Sequence, residues 1–185
     1  TPATANIIKE GVEKYFDTSE LAVITGGPSV GEQFSRLNLD HLLFIGSNRV
    51  AKKVAAQAAK NLVPTTLELG GKSPTIIGTN ANMALAAERI LFSKTLNAGQ
   101  ICLSPDYIFV KKDEKRNLIS ELQKAYSKFF PEPNSHNQTS MVNKHHLKRM
   151  NSYLLDATKK GATVESLGKN DDLNKNMIST KIVTE

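Results

Sequence analysis

The chain opens on an amphipathic helical pattern, "TPATANIIKEGVEKYF", which predicts a helix over roughly 3–16. A short apolar run, "LAVIT" (21–25), is expected to be a strand, and "SVGEQFSRL" a helix. "HLLFIG" (41–46) has the look of a buried strand. Residues 48–62 are alanine-rich and place Val50, Val54, Ala55, Ala58 and Leu62 on one stripe, which predicts a helix that Pro64 ends. "TTLEL" (65–69) is the next strand. Short apolar strands alternating with helices predict an α/β chain with a doubly wound parallel sheet.

After Gly70-Gly71 the alternation resumes. "PTIIG" (74–78) reads as a strand, and roughly 82–96 as a helix with Met83, Ala86, Ala87, Ile90 and Leu91 on one face, capped by Thr79 or Asn80. "YIFVK" (107–111) is a strand, followed by a helix carrying Leu118, Leu122, Ala125, Tyr126 and Phe129. "PEPNSHNQ" (131–138) is a turn-rich loop. A helix over about 143–159 has a basic outer side, and the tail from 161 to 185 carries weak strands.

Composition narrows the function classes. Hydrophobic residues make up 39% of 185, enough for a core of one domain or parts of two. The formal charge of +6 is spread among acids, and aromatics are only 6%, so no stacking platform forms and nucleic acid is not an expected partner. One cysteine excludes an internal disulfide framework and points to a reducing, intracellular setting. No apolar run is long enough to cross a bilayer. The abrupt helical start and the strand-like "KIVTE" end suggest a segment of a longer polypeptide.

Standard motifs do not account for the chain. "GGPSVG" (26–31) spaces two glycines like a phosphate loop, but Glu32-Gln33 stand where Lys-Ser/Thr is required. No G-x-G-x-x-G is present. His145 and His146 are adjacent, so on a helix they point about 100° apart and lack the spacing of a metal pair. His136 lies in a loop with no evident partner.

Two residues stand apart. Cys102, in "GQIC", is the lone thiol, and a lone thiol is most often a small core hydrophobe. Glu68 ends an otherwise apolar strand beside two glycines, where a carboxylate is costly unless it is paired or faces a cleft. It reads either as the ion-pair partner of Lys72 or as a general base at the carboxyl edge of a sheet, where open α/β folds bind ligands. One strand, one helix and a Gly-Gln turn separate it from Cys102. A thiol and a carboxylate sharing a cleft suit acyl chemistry: the thiolate attacks a carbonyl and the carboxylate activates the releasing water.

Three segments, "FIGSNRVAKKVAAQAAKNL", "TLELGGKSP" and "NAGQICLSPDYIFV", resemble the aldehyde dehydrogenase superfamily in order and spacing, and most closely its class 3 and fatty aldehyde branch. The likeness runs over nearly the whole chain. It implies a cofactor-binding half over 1–69 and the start of a catalytic domain over 70–185. By position it implies that Cys102 is the nucleophile and Glu68 the general base. It also implies that Gly46, Ser47, Val50, Ala51, Leu69 and Gly70 line the site of NAD or NADP. The implied reaction oxidises fatty or aromatic aldehydes to carboxylic acids through a cysteine thiohemiacetal and thioester. No metal is implied. A homodimer is expected for the full-length protein, in the cytoplasm or on the cytoplasmic face of an organelle membrane, with membrane contact only through parts outside this segment.

The chain departs from the family pattern in three places. Ile45 replaces a threonine in Phe44-Ile45-Gly46-Ser47, Ala51 replaces a glycine, and Asn80 or Asn82 replaces a capping aspartate. Ala51 raises the prospect of a methyl crowding the cofactor and of a catalytically silent relative. An acylating relative that uses coenzyme A is the other alternative, although such relatives generally lack the glutamate. The second oxyanion donor and the ribose-reading stretch are expected upstream of Thr1, and a second ribose glutamate beyond Glu185. The segment alone is therefore expected to be inactive and to fold poorly.

Overall fold

The computed structural model describes residues 1–131, 138–169 and 171–185. His136 lies outside them, as does most of the turn-rich loop. The chain divides into two compact units, Thr1–Gly70 and Gly71–Glu185.

In the first unit, helix α1 spans Pro2–Tyr15 and α2 spans Pro28–Phe34; both carry proline in the first turn, where its missing N–H costs no hydrogen bond. Between them "LAVIT" is irregular rather than a strand. Leu21 and Ile24 are exposed, and among the described residues no ladder takes this segment. Apolar composition alone does not make a strand without a partner to complete its hydrogen bonds.

Strand β1 (Leu42–Gly46) leads through Ser47 into α3 (Asn48–Ala58), which tightens into one 3₁₀ turn at Ala59–Asn61. Leu62 then turns left-handed, and β2 (Thr65–Leu69) returns parallel to β1. The pairing runs from Leu42 opposite Thr65 to Gly46 opposite Leu69. Leu42, Val54, Ala58 and Val63 form the unit's small core, with Leu39 and Phe44 packed on it. The buried residues of α3 are Ala51, Val54 and Ala58: Val54 and Ala58 are buried as expected, while Ala51 is buried in place of Val50, and Val50 and Leu62 are exposed.

In the second unit β3 (Ser73–Ile76) and β4 (Pro105–Phe109) are parallel, with a register irregularity after Ser73. Helix α4 (Met83–Thr95) crosses between them. Its cap is Asn82, not Thr79 or Asn80: the side chain accepts the Leu85 N–H at 3.1 Å, an interaction worth about 1 kcal/mol. Helix α5 (Lys115–Phe129) packs on α4. Ile77, Ala87, Ile90, Leu91, Leu118, Leu122, Ala125 and Tyr126 make the larger core, close to the faces expected of both helices. Helix α6 (Lys144–Lys159) precedes an antiparallel pair, β5 (Thr163–Ser166) and β6 (Lys181–Thr184). The parallel pairs agree with an α/β, doubly wound reading, while the tail is antiparallel.

Candidate active site

The carboxyl end of the β1–β2 pair gathers most of the candidate residues of the first unit. Gly46 stands opposite Leu69, and Ile45 opposite Glu68. Gly70 follows Leu69 directly, and Ser47 starts α3 from the end of β1. Ser47 is extended, and its Oγ accepts the Val50 N–H at 3.4 Å. The Val50 and Ala51 N–H groups both reach the Ser47 carbonyl, at 3.0 and 2.9 Å. The first two helical N–H groups, of Asn48 and Arg49, have no acceptor within the helix. They leave a positively polarised terminus suited to an anion.

Two of the proposed positions acquire packing reasons as well. A Cβ on Gly46 would stand 2.6 Å from the end of the Phe44 ring, so glycine is needed for that ring to lie along the strand. Ala51 is 2% exposed. The residue is buried on the inner side of α3. Glu68 is exposed. Among the described residues no ion pair is found at Glu68, and Lys72 pairs with Asp106 at 2.6 Å. Lys72 has a left-handed backbone (φ 47°), and its short ion pair turns it toward the start of β4.

Cys102 lies in the second unit, in the turn that enters β4, and is exposed rather than a core thiol. It sits at the amino end of its parallel pair, whereas Glu68 sits at the carboxyl end of the other. The approach to it is unusual. Asn97, Ala98 and Gly99 are consecutively left-handed, with φ of 49°, 54° and 72°. For Asn97 and Ala98 that conformation costs of order 1 kcal/mol each and persists only where neighbours hold it.

Side chains and backbone around the turn hold it. The Gln100 side-chain amide donates to the Asn97 carbonyl (2.9 Å) and the Ser140 carbonyl (3.2 Å), and its Oε1 accepts the Val142 N–H (2.9 Å). The Ser104 N–H closes a turn onto the Ile101 carbonyl at 3.0 Å, with Cys102 inside it. A Cβ on Gly71 would stand 2.7 Å from the Cys102 carbonyl oxygen, so the second glycine of "LELGG" is where the chain passes closest to the cysteine backbone.

Behind the turn, Lys94 shares Asp106 with Lys72, at 3.9 Å. Burial pushes the Lys94 ammonium below its ordinary pKa; Asp106 opposes that and Lys72 adds to it. The fold thus keeps two cations and one carboxylate beside the cysteine turn. The His145 and His146 rings meet edge-on, 5.7 Å between ring centres. Among the described residues no cluster could hold a metal ion. No described helix is long and apolar enough to cross a membrane.

Sequence reasoning read "GQ" as a turn but missed the three-way grip of Gln100. It also passed over Gly71 in favour of Gly70, which has open space around its Cα. The doublet itself was a signal, since two adjacent glycines in a strand-turn imply that one of them meets another backbone.

The aldehyde dehydrogenase family model matches residues 1–185 in full. The chain belongs to the aldehyde dehydrogenase family. Among relatives, a probable coniferyl aldehyde dehydrogenase of Caulobacter vibrioides is 48% identical over 165 residues, covering 89% of this chain and 34% of that protein. Aldehyde dehydrogenase family 3 member B1 of Rattus norvegicus is 36% identical, covering 82% and 33%. These fit the class 3 branch of the family. The solved substrate-bound Staphylococcus aureus AldH superposes with a TM-score of 0.86 at 36% identity, over 97% of this chain and 39% of that one. A Staphylococcus aureus betaine aldehyde dehydrogenase in complex with NAD⁺ gives 0.75 at 27% identity, over 86% and 34%. The aldehyde dehydrogenase chain described here spans about a third of the length of the curated relatives it matches.

Proposed function

We propose that this chain supplies the nucleophile, the base and part of the cofactor site of an enzyme that oxidises aldehydes to carboxylic acids with NAD or NADP. The observation that carries the reading is an exposed, lone cysteine on a strained and pinned turn, within a chain of this family. Membership of the class 3 branch, with a coniferyl aldehyde dehydrogenase among the relatives, supports an aromatic or long-chain aldehyde. Residues 1–69 serve the cofactor and 70–185 begin the catalytic domain; the division of the chain at Gly70/Gly71 supports this.

In this reading the Cys102 thiolate adds to the aldehyde carbon and forms a thiohemiacetal. The Cys102 backbone N–H donates to the developing oxyanion. A bound nicotinamide would supply the hydride acceptor, and Cys102 would hold the acyl group as a thioester. Glu68 takes a proton from the water that attacks the thioester, and the acid and the free thiol are released. Gly46, Ser47 and the N-terminus of α3 take the pyrophosphate, with Val50 and Ala51 shaping that turn. The two free N–H groups at the helix start fit an anion there. Leu69 and Gly70 face the nicotinamide end. The intact Glu68 favours hydrolysis over transfer to coenzyme A, and the burial of Ala51 supports a packing role for its methyl.

The test uses the full-length polypeptide with coniferyl aldehyde and a nicotinamide cofactor, following formation of the reduced cofactor. Cys102→Ser is expected to abolish turnover. Glu68→Gln is expected to retain a first-turnover burst and to slow the steady state by about 10²-fold or more, as for loss of a general base. Full turnover by Cys102→Ser would reject the assignment.

A further inference from the structure

We propose that Gln100 is a positioning residue: its side chain clamps the left-handed turn Asn97–Gly99 to the segment Ser140–Val142 and thereby sets the attack position of the Cys102 thiol. The proposal rests on the reading of Cys102 as nucleophile and names a device that serves it.

The geometry has three parts. First, the turn's own bonds are few for the strain it carries. Three successive left-handed residues, one of them alanine, need support. The Gln100 N–H closes onto the Asn97 carbonyl at 3.1 Å, and Asn97 Nδ2 reaches the Gln100 carbonyl at 3.4 Å. Second, Gln100 satisfies both ends of its amide. Its NH₂ donates to Asn97 and Ser140 carbonyls, and its Oε1 accepts from Val142. No other uncharged side chain offers two donors and an acceptor at that reach, and a carboxylate would face two carbonyl oxygens. Third, the far end of the clamp is itself anchored. The Met141 N–H donates to the Asn176 carbonyl at 2.8 Å, and Asn143 caps α6 by accepting the His146 N–H at 3.0 Å. The clamp therefore ties the cysteine turn to fixed backbone rather than to a free loop. Cys102 stands two residues beyond Gln100, so a shift of the turn passes directly to its thiol.

The experiment compares Gln100→Ala, Gln100→Asn and Gln100→Glu with the parent in the full-length polypeptide. Each is measured as kcat per folded molecule, the folded fraction taken from circular dichroism and gel filtration, with KM for aldehyde, the iodoacetamide rate of the Cys102 peptide, and hydrogen exchange at the Val142 amide. For Gln100→Ala and Gln100→Asn, kcat per folded molecule is expected to fall by about 10- to 100-fold, the scale of an ångström-sized misplacement. KM is expected to change much less. The alkylation rate of Cys102 changes with it, and Val142 exchanges faster. Gln100→Glu keeps the acceptor for Val142 and loses both donors while its carboxyl is ionised. Its activity relative to the parent is expected to rise as pH is lowered and the carboxyl regains one donor.

A residue that merely stabilises the fold would lower the folded fraction and leave kcat per folded molecule unchanged. That result, or a Gln100→Glu ratio independent of pH, would overturn the clamp. If Gln100→Ala does not fold, the pH ratio of Gln100→Glu and its Cys102 alkylation rate decide alone. Failure of the nucleophile reading shows separately, as turnover retained by Cys102→Ala. In that case the alkylation and exchange rates still report whether Gln100 holds the turn.

Discussion

Gly71 meets the Cys102 carbonyl where no side chain fits. The 2.7 Å approach of a built Cβ is to backbone, and the next nearest atom is the Ser73 hydroxyl, at 3.1 Å. Neither the carbonyl nor its turn can move without disturbing the strained residues before it. Gly71→Ala is therefore expected to cost about 1–3 kcal/mol, the usual scale of overpacking. Gly70→Ala, with open space around it, should stay within about 0.5 kcal/mol. Urea unfolding midpoints of the full-length variants measure both. Equal costs would show that the tight approach is not what glycine serves at position 71. The contrast also shows what a motif hides. "LELGG" presents two identical letters, and only packing separates the glycine that admits a backbone from the one that does not.

At the scale of elements, the polar network of the tail is held by one carboxylate. Asp171 accepts from the Ser179 N–H (2.7 Å) and hydroxyl (2.5 Å) at one oxygen, and from Lys181 (2.6 Å) at the other. Burial alone would raise its pKa, but the bonds from Lys181 and Ser179 outweigh that and hold it below 3.8. A folded pKa below the unfolded one means that the unfolded chain binds more protons as the solution is acidified. The stabilisation is thus complete above the ordinary carboxylate range and is lost as pH falls through it. The stability gap between the parent and Asp171→Asn is expected to shrink from about pH 5 to about pH 3. A gap that stays constant over that range would show that the ionised carboxylate does not anchor β5–β6. Nothing in the alternation of the tail announced this network. The elements that could be read from sequence were those with strong periodicity: α4 and α5 put their expected faces into the core. In α3, Val54 and Ala58 are buried as the pattern predicts, and Ala51 takes the place expected of Val50. "LAVIT" failed because a strand is defined by its partner. The site divides in the same way. The thiol and the carboxylate could be picked out by residue type. The left-handed turn and its Gln100 clamp depend on a loop some forty residues later in the chain, at Ser140 and Val142, which no local pattern reports.

At the scale of the whole molecule, apolar surface sets how this segment behaves alone. Large apolar side chains stand exposed on the parallel pairs and beside Cys102. Ile45 is 74% exposed on β1, Ile76 is 77% exposed on β3, and Leu103, next to Cys102, is 79% exposed. Two-stranded pairs with one bare face do not stabilise themselves in water. Exposed faces of this kind are covered in a working protein or else drive association. The larger core, on α4 and α5, is the part able to persist. The isolated 185 residues are accordingly expected to retain helical far-ultraviolet signal and to bind a hydrophobic dye. They should unfold without a sharp transition and leave aldehyde and NAD unreacted. Dye binding and calorimetry of the isolated chain, set beside the full-length polypeptide, measure this. A sharp, dye-silent transition in the isolated chain would mean that its bare strand faces are satisfied from within. The two-unit reading of its stability would then have to be abandoned.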